Sequence, residues 1–194
     1  MTFAQAVLPE CAMGTNIMTT RYTPTAMVLH WLMALLLTGT FALGLYMSDL
    51  KLSPAKLQLY SYHKWIGITL LALAVFRVLW RLTHRPPAIV LPRWQQRASS
   101  SVHGMLYVLF IAIPLTGWLM SSAKGFQTVL FGVLPLPDLV GKDKSLGVLF
   151  TSVHENLNYL LLVLVLLHVA AALKHQLIDR DGLMARMLPG GIAK

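Results

Sequence analysis

Residues 152–175 read SVHENLNYLLLVLVLLHVAAALKH, and from Leu157 to Leu173 the stretch carries no charged residue and a single histidine. Such a run is fit for lipid, where a histidine is expensive and needs a reason. The spacing offers one: His168 stands at i+14 from His154, and His175 at i+7 from His168. At about 100° per residue these steps return to nearly the same helix face. At about 1.5 Å rise per residue, the first two imidazoles stand about 21 Å apart along one helix. That is room for two bulky ligands, one above the other.

The rest of the chain belongs in the same solvent. Its 194 residues are 56% hydrophobic and 12% charged, against roughly 25% charged in a soluble domain, and the mean hydropathy is +0.64. The net charge of +9 therefore argues for basic loops beside a membrane rather than for nucleic acid. The single cysteine, Cys11, excludes an internal disulfide framework, a thiolate iron–sulfur cluster and covalent Cys-x-x-Cys-His haem attachment. The opening MTFAQAVLPECAMGTNIMTTR does not read as a signal peptide. Residues 1–20 are expected to be a disordered extension, with translation starting at Met1 or Met18.

A span needs about 20 largely apolar residues. Four candidates appear, at about 25–47, 62–82, 102–120 and 153–175. Pro24 suits a helix start, and Pro114 is tolerated inside a span where neighbouring helices cover the freed backbone. Between the spans lie a short loop at 48–61, a Pro- and Arg-rich linker at 83–101 and a long loop at 121–152 with the apolar patch VLFGVLPLP. The expected fold is all-α: an integral-membrane four-helix bundle over 21–188, followed by a short tail at 189–194.

Basic residues near the span ends set the orientation. With the N-terminus inside, the inner side carries nine (Arg21, Arg81, Arg85, Arg93, Arg97, Lys174, Arg180, Arg186, Lys194) and the outer side six (Lys51, Lys56, Lys64, Lys124, Lys142, Lys144). Both termini are thus expected in the cytoplasm. Orientation turns histidine positions into depths. His63 and His154 meet near the outer face, and His30 and His168 near the inner face. Imidazole is a common axial ligand of haem iron. Two histidines from different helices on one iron give a six-coordinate b-type haem, and two such pairs give two.

Other residues fit the two storeys. Arg77 stands at i+14 from His63, and an arginine in a span needs a partner; a haem propionate is one. Gly67 stands at i+4 from His63, Gly44 at i+14 from His30 and Gly117 at i+14 from His103. A glycine lets a flat macrocycle approach the backbone, though helix packing explains these positions too. His84 reads as an interfacial residue, and Trp31, Trp65, Trp80, Trp94 and Trp118 read as an aromatic belt.

Four stretches carry a family resemblance: RYTPTAMVLHWLMALLL, YSYHKWIGITLLALAVFRVLWRLTHRPP, PRWQQRASSSVHGMLYVLFIAIPLTGW and SVHENLNYLLLVLVLLHVAAALKHQLIDRDGLMARML. From Arg21 to Leu188 the chain resembles the prokaryotic cytochrome b561 family. The resemblance implies a four-helix protein of the bacterial inner membrane with two b haems. Its axial histidines match His30, His63, His154 and His168. It also implies electron exchange between a quinone pool, here ubiquinone, and a donor or acceptor at the other face; one branch is similar to a superoxide oxidase.

The expected mechanism is an electron wire from the outer pair to the inner pair and on to a quinone. His103 and His175 are candidates to line the quinone pocket as proton donors, and Arg81 and Lys174 to stabilise negative charge on the reduced quinone. The outer lysines offer a positive field for an anion such as superoxide, against the plain reading that they keep the loops soluble. Two alternatives stay open. One is a non-catalytic anchor and relay for a periplasmic redox partner docked on loop 121–152. The other is a metal transporter, which the split of the histidines into two depths disfavours.

Overall fold

The computed structural model describes residues 21–84, 86–88 and 91–188. The N-terminal extension with its alternative starts, Arg85 and the tail from 189 onward lie outside the described residues.

Four long helices form a transmembrane bundle: α1 Pro24–Ser48, α2 Pro54–Thr83, α3 Arg93–Ala123 and α4 Lys144–Lys174. Local chemistry fixes where three of them begin. Thr23 Oγ1 accepts from the Ala26 amide at 3.3 Å, Ser53 Oγ from the Lys56 amide at 3.2 Å, and Asp143 Oδ1 from the Leu146 amide at 2.9 Å. Pro24 and Pro54 occupy first-turn positions, where the missing N–H costs nothing.

Helices α2, α3 and α4 start before the expected spans, at Pro54, Arg93 and Lys144 rather than near 62, 102 and 153. The loops are correspondingly shorter than expected. The reason is that a hydrophobic span counts only the hydrocarbon-crossing part of a helix. At about 1.5 Å per residue, α2, α3 and α4 reach the roughly 40–45 Å thickness of a bilayer with its headgroup regions, so polar turns continue beyond the apolar ones.

Consecutive helices pack on one another, α1 on α2, α2 on α3 and most extensively α3 on α4, whereas α1 and α4 make little close approach. Two separate cores result. Met33, Leu70 and Ala74 close the α1–α2 side, and Leu106, Leu109, Ile113, Leu161 and Leu164 close the α3–α4 side; Leu37 and Phe110 pack against both. Among the described residues no large side chain is wholly buried. Leucines and valines such as Leu35 (72% exposed) and Val108 (65%) instead cover the outside, as expected where lipid is the solvent.

The two ends of the bundle differ. At the hairpin end, β1 Val129–Leu130 pairs antiparallel with β2 Leu134–Pro135. The connecting turn places Phe131 (φ 50°) and Gly132 (φ 76°) in the left-handed region. The hairpin is pinned by Lys64 Nζ donating to the Phe126 carbonyl at 3.0 Å and Trp65 Nε1 to the Val129 carbonyl at 2.7 Å. At the terminal end, the closing segment folds back over the start of α1. Arg21 Nη2 donates to the Leu188 carbonyl at 2.6 Å and Trp31 Nε1 to the Met187 carbonyl at 2.9 Å. Trp80 and Trp118 also donate their indole N–H groups within the protein, to Thr23 Oγ1 and the Pro137 carbonyl. Four of the five belt tryptophans are therefore structural ties as well as interfacial rings.

Candidate functional site

The helices bring the histidines together in two groups. At the hairpin end the rings of His63 (α2) and His154 (α4) face each other with centroids 6.3 Å apart and planes at 76°. At the terminal end His30 (α1) and His168 (α4) do the same at 6.2 Å and 65°. An imidazole nitrogen binds a first-row metal at about 2.0–2.1 Å. With each ring centre about 1.15 Å behind its donor nitrogen, two imidazoles on opposite sides of one metal ion put their centroids about 6.4 Å apart by that bond length. The centroid separations of both pairs match this value.

The hairpin-end pair is held from behind. His154 Nδ1 lies 3.0 Å from the Ile113 carbonyl. A carbonyl only accepts, so Nδ1 carries the proton and Nε2 keeps a free lone pair. Thr116 Oγ1 donates to the same carbonyl at 2.8 Å and lies 3.3 Å from His154 Nδ1. His63 Nδ1 is 3.3 Å from Thr40 Oγ1 on α1.

Two glycines make room for these rings. A Cβ on Gly117 would stand 3.0 Å from His154 Cε1, and one on Gly44 would stand 3.3 Å from His63 Cε1. Gly44 thus accommodates the His63 ring. Gly67 behaves differently: a Cβ there would meet nothing within 4 Å. It lines a cleft together with His63, His154, Phe41, Pro114 and Asn158. The cleft reaches toward Met33 and Leu109 at mid-bundle.

The terminal-end group is more crowded. His103 packs edge-on against His168 with centroids 5.2 Å apart, too close for a metal ion between opposed rings. His103 Nδ1 donates to the Ser99 carbonyl at 2.7 Å. Arg77 places Nη2 3.2 Å from His30 Nδ1 and donates from Nε to the Tyr107 hydroxyl at 3.3 Å. Arg77 and Arg81 both lie by the Tyr107 ring, at 5.7 and 5.5 Å from its centre.

The remaining site candidates separate from this group. His175 Nδ1 is 2.6 Å from Asp181 Oδ2 and 3.2 Å from Asp179 Oδ2, and Lys174 Nζ contacts Asp179 Oδ2 at 2.5 Å. Lys174, expected to stabilise negative charge on a quinone, is thus paired with Asp179. His84 stacks on Trp80 at 3.9 Å and takes no part in either pair.

Sequence reading does not single out Thr40, Thr116, Tyr107 or the Ile113 carbonyl. The side chains leave a faint signal. Thr40 sits one helical turn before Gly44, Tyr107 one turn after His103, and Thr116 immediately before Gly117. A carbonyl leaves none.

The chemistry of the donors fits b-type haem. Each pair supplies imidazoles from different helices, the spacing matches two ligands on one metal ion, and the only cysteine, Cys11, precedes the first helix in sequence. Comparison with known proteins agrees. Residues 21–190 match the family model described as prokaryotic cytochrome b561. The chain is 35% identical over 172 residues to "Cytochrome b561 homolog 2" of Escherichia coli (strain K12), covering 87% of this chain and 91% of that one. It is 32% identical over 177 residues to "Cytochrome b561 homolog 1" of the same organism, covering 87% and 97%. It is 28% identical over 138 residues to "Probable superoxide oxidase CybB" of Yersinia pestis, covering 66% and 78%. With its four membrane-spanning helices, the chain belongs to the prokaryotic cytochrome b561 family, which binds b-type haem and carries electrons across a membrane.

Proposed function

We propose that this protein moves electrons across the bacterial inner membrane from a donor at the outer face to ubiquinone near the inner face, with superoxide as the donor. The hairpin end faces the periplasm and the terminal end, with both chain termini, the cytoplasm; the excess of basic residues at the terminal end supports this. One observation carries the reading: two opposed imidazole pairs, at 6.3 and 6.2 Å, on levels set by the i, i+14 spacing of His154 and His168 along α4.

His63 and His154 would hold the outer b haem, and His30 and His168 the inner one. Each bound b haem would supply one-electron chemistry. The protein's own groups do the rest. The Ile113 carbonyl fixes the His154 tautomer, Thr40 and Thr116 orient the two rings, and Leu37 and Phe110 fill the apolar layer between storeys. At the inner storey His103, with Nδ1 bound to the Ser99 carbonyl, presents Nε2 for proton exchange, and Arg81 stabilises negative charge on the quinone. His175, paired with Asp181, passes protons from the cytoplasm, and Arg77 meets a haem propionate. The stoichiometry balances: two superoxide anions lose one electron each and leave as O2, and one quinone gains two electrons and two protons to become quinol.

The test is turnover by the isolated chain. Detergent-purified protein supplied with enzymatically generated superoxide and a short-chain ubiquinone is expected to form quinol, and superoxide dismutase should abolish the signal. The rate should fall with added salt if Lys51, Lys124, Lys142 and Lys144 steer the anion. Protein that carries haem but forms no quinol would favour a second reading, a relay subunit for a periplasmic redox protein. The exposed apolar hairpin, with Val133 81% and Phe131 59% exposed, is the surface that favours it.

A further inference from the structure

The hairpin between α3 and α4 is built the reverse way from a loop made for water. From Gly125 to Pro137 the chain reads GFQTVLFGVLPLP, with no charge between Lys124 and Asp138. Its burial is inverted. The polar Thr128 is 3% exposed, whereas Phe126, Phe131, Val133 and Leu134 all point outward. An exposed apolar patch of this kind marks a surface that meets something other than water.

The backbone is closed on itself as lipid requires. The Gly132 and Val133 amides bond back to the Val129 and Leu130 carbonyls, and the Leu136 amide bonds to the Thr128 carbonyl. Side chains cover further carbonyls: Lys64 that of Phe126, Trp65 that of Val129, Gln127 that of Leu136 and Trp118 that of Pro137. Pro135 and Pro137 have no N–H to satisfy.

The same ties fix the depth. Trp65 follows His63 by two residues, and the His63 ring abuts Gly44, one helical turn before the end of α1. Trp118 follows Gly117, which abuts the His154 ring. The tip of the hairpin is held at this level too, because the Phe131 ring lies 5.7 Å from that of Trp65. Exposed apolar side chains continue past this level toward the helix ends: Leu45 and Tyr46 on α1, and Val148 and Leu149 on α4 about one and a half turns before His154. The hairpin therefore lies alongside the lipid-facing surface of the bundle and is continuous with it, beside two tryptophans of the kind that favour the membrane interface.

We infer that the hairpin is a membrane-interface element whose exposed side chains, Phe126, Phe131, Val133 and Leu134, reach the acyl chains of the leaflet at that end of the bundle. Apolar faces of interfacial segments sink about 5–10 Å into the headgroup–acyl boundary. The inference is independent of the haems, and it gives to lipid the surface that the relay reading would give to a partner protein.

The experiment uses the full chain carrying Cys11→Ser, reconstituted in vesicles of phosphatidylethanolamine and phosphatidylglycerol. A spin label is attached at Val133→Cys or at Leu134→Cys. Its collisions with oxygen, which partitions into acyl chains, are compared with its collisions with a water-soluble nickel chelate. Val108→Cys on the lipid-facing side of α3 and Lys51→Cys between α1 and α2 give the two limits, and circular dichroism checks that each labelled chain keeps its helices. Both hairpin labels should favour oxygen over nickel several-fold more than Lys51→Cys does, approaching the ratio at Val108→Cys. Nickel-dominated collisions at either hairpin position would overturn the inference by placing the hairpin in water, open to a periplasmic protein. Labels reached by neither reagent would overturn it as well, by placing another protein, such as a second copy of this chain, on the hairpin.

Discussion

Replacing His168 by alanine should leave the protein with one b haem per chain in place of the two proposed. His168 faces His30 at 6.2 Å, the separation that opposed ligands on one metal ion require. Without it His30 has no opposing partner across the iron, and the exchange removes both a ligand and the bulk that packs against His103. The hairpin-end pair lies about four helical turns away along α4, so its haem and the bundle around it should survive. His103→Ala is the discriminating control. Its ring also touches His168, at 5.2 Å, but edge-on and too near for an iron between them. It should retain both haems and slow quinone reduction. Haem extraction and the reduced-minus-oxidised spectrum measure both variants. Loss of a haem in His103→Ala would transfer the axial role from His30 to His103.

The second large effect comes from a residue that touches no ligand. Gly117→Val should abolish the hairpin-end haem while the terminal-end one remains. A Cβ at Gly117 would already stand 3.0 Å from His154 Cε1, and valine adds two methyl groups beyond it. The ring cannot simply swing aside, because Nδ1 is tied to the Ile113 carbonyl at 3.0 Å. Relieving such a clash costs about 1–3 kcal/mol in a packed site, and here the movement would misdirect Nε2. Gly67→Val makes the contrast. Nothing lies within 4 Å of a Cβ there, so the bundle tolerates the change, yet the side chain enters the cleft and should compete with a macrocycle. Haem stoichiometry beside the thermal unfolding of each variant separates the two mechanisms: a folded Gly67→Val chain with full haem content would show that the cleft does not hold the cofactor.

Much of this arrangement is legible from helical period and the rule that charges avoid lipid. His154 and His168 share a face because an i, i+14 step makes nearly whole turns. Once four spans alternate in direction, depth alone sets His63 opposite His154 and His30 opposite His168. The helix ends are less legible. Hydropathy marks where lipid stops, whereas α2, α3 and α4 run on through the headgroups. The hairpin at 129–135 is hidden because VLFGVLPLP is apolar on both sides of the pleat. Its shape comes from the left-handed turn at Phe131–Gly132 and from two donors on α2, Lys64 and Trp65.

The grouping of the histidines is legible in the sequence and their supports are not. His154 depends on a backbone carbonyl far away in sequence, that of Ile113, and no residue type announces a carbonyl that will be used twice. At Gly44 a close approach is real, and it is made by the ring of His63. Depth puts His175 and Lys174 at the inner edge, yet Asp179 and Asp181, a turn further on, draw them into a cluster of their own. Depth arguments order residues along the membrane normal. They do not say which way a side chain at the boundary turns.

The most direct test of the central claim is the haem content of the purified chain, measured as haem per polypeptide together with its reduced-minus-oxidised absorption. The account predicts two low-spin, six-coordinate b haems per chain, one lost with either histidine of the hairpin-end pair and the other with either histidine of the terminal-end pair. A folded wild-type chain with a single haem, or with none, would contradict it.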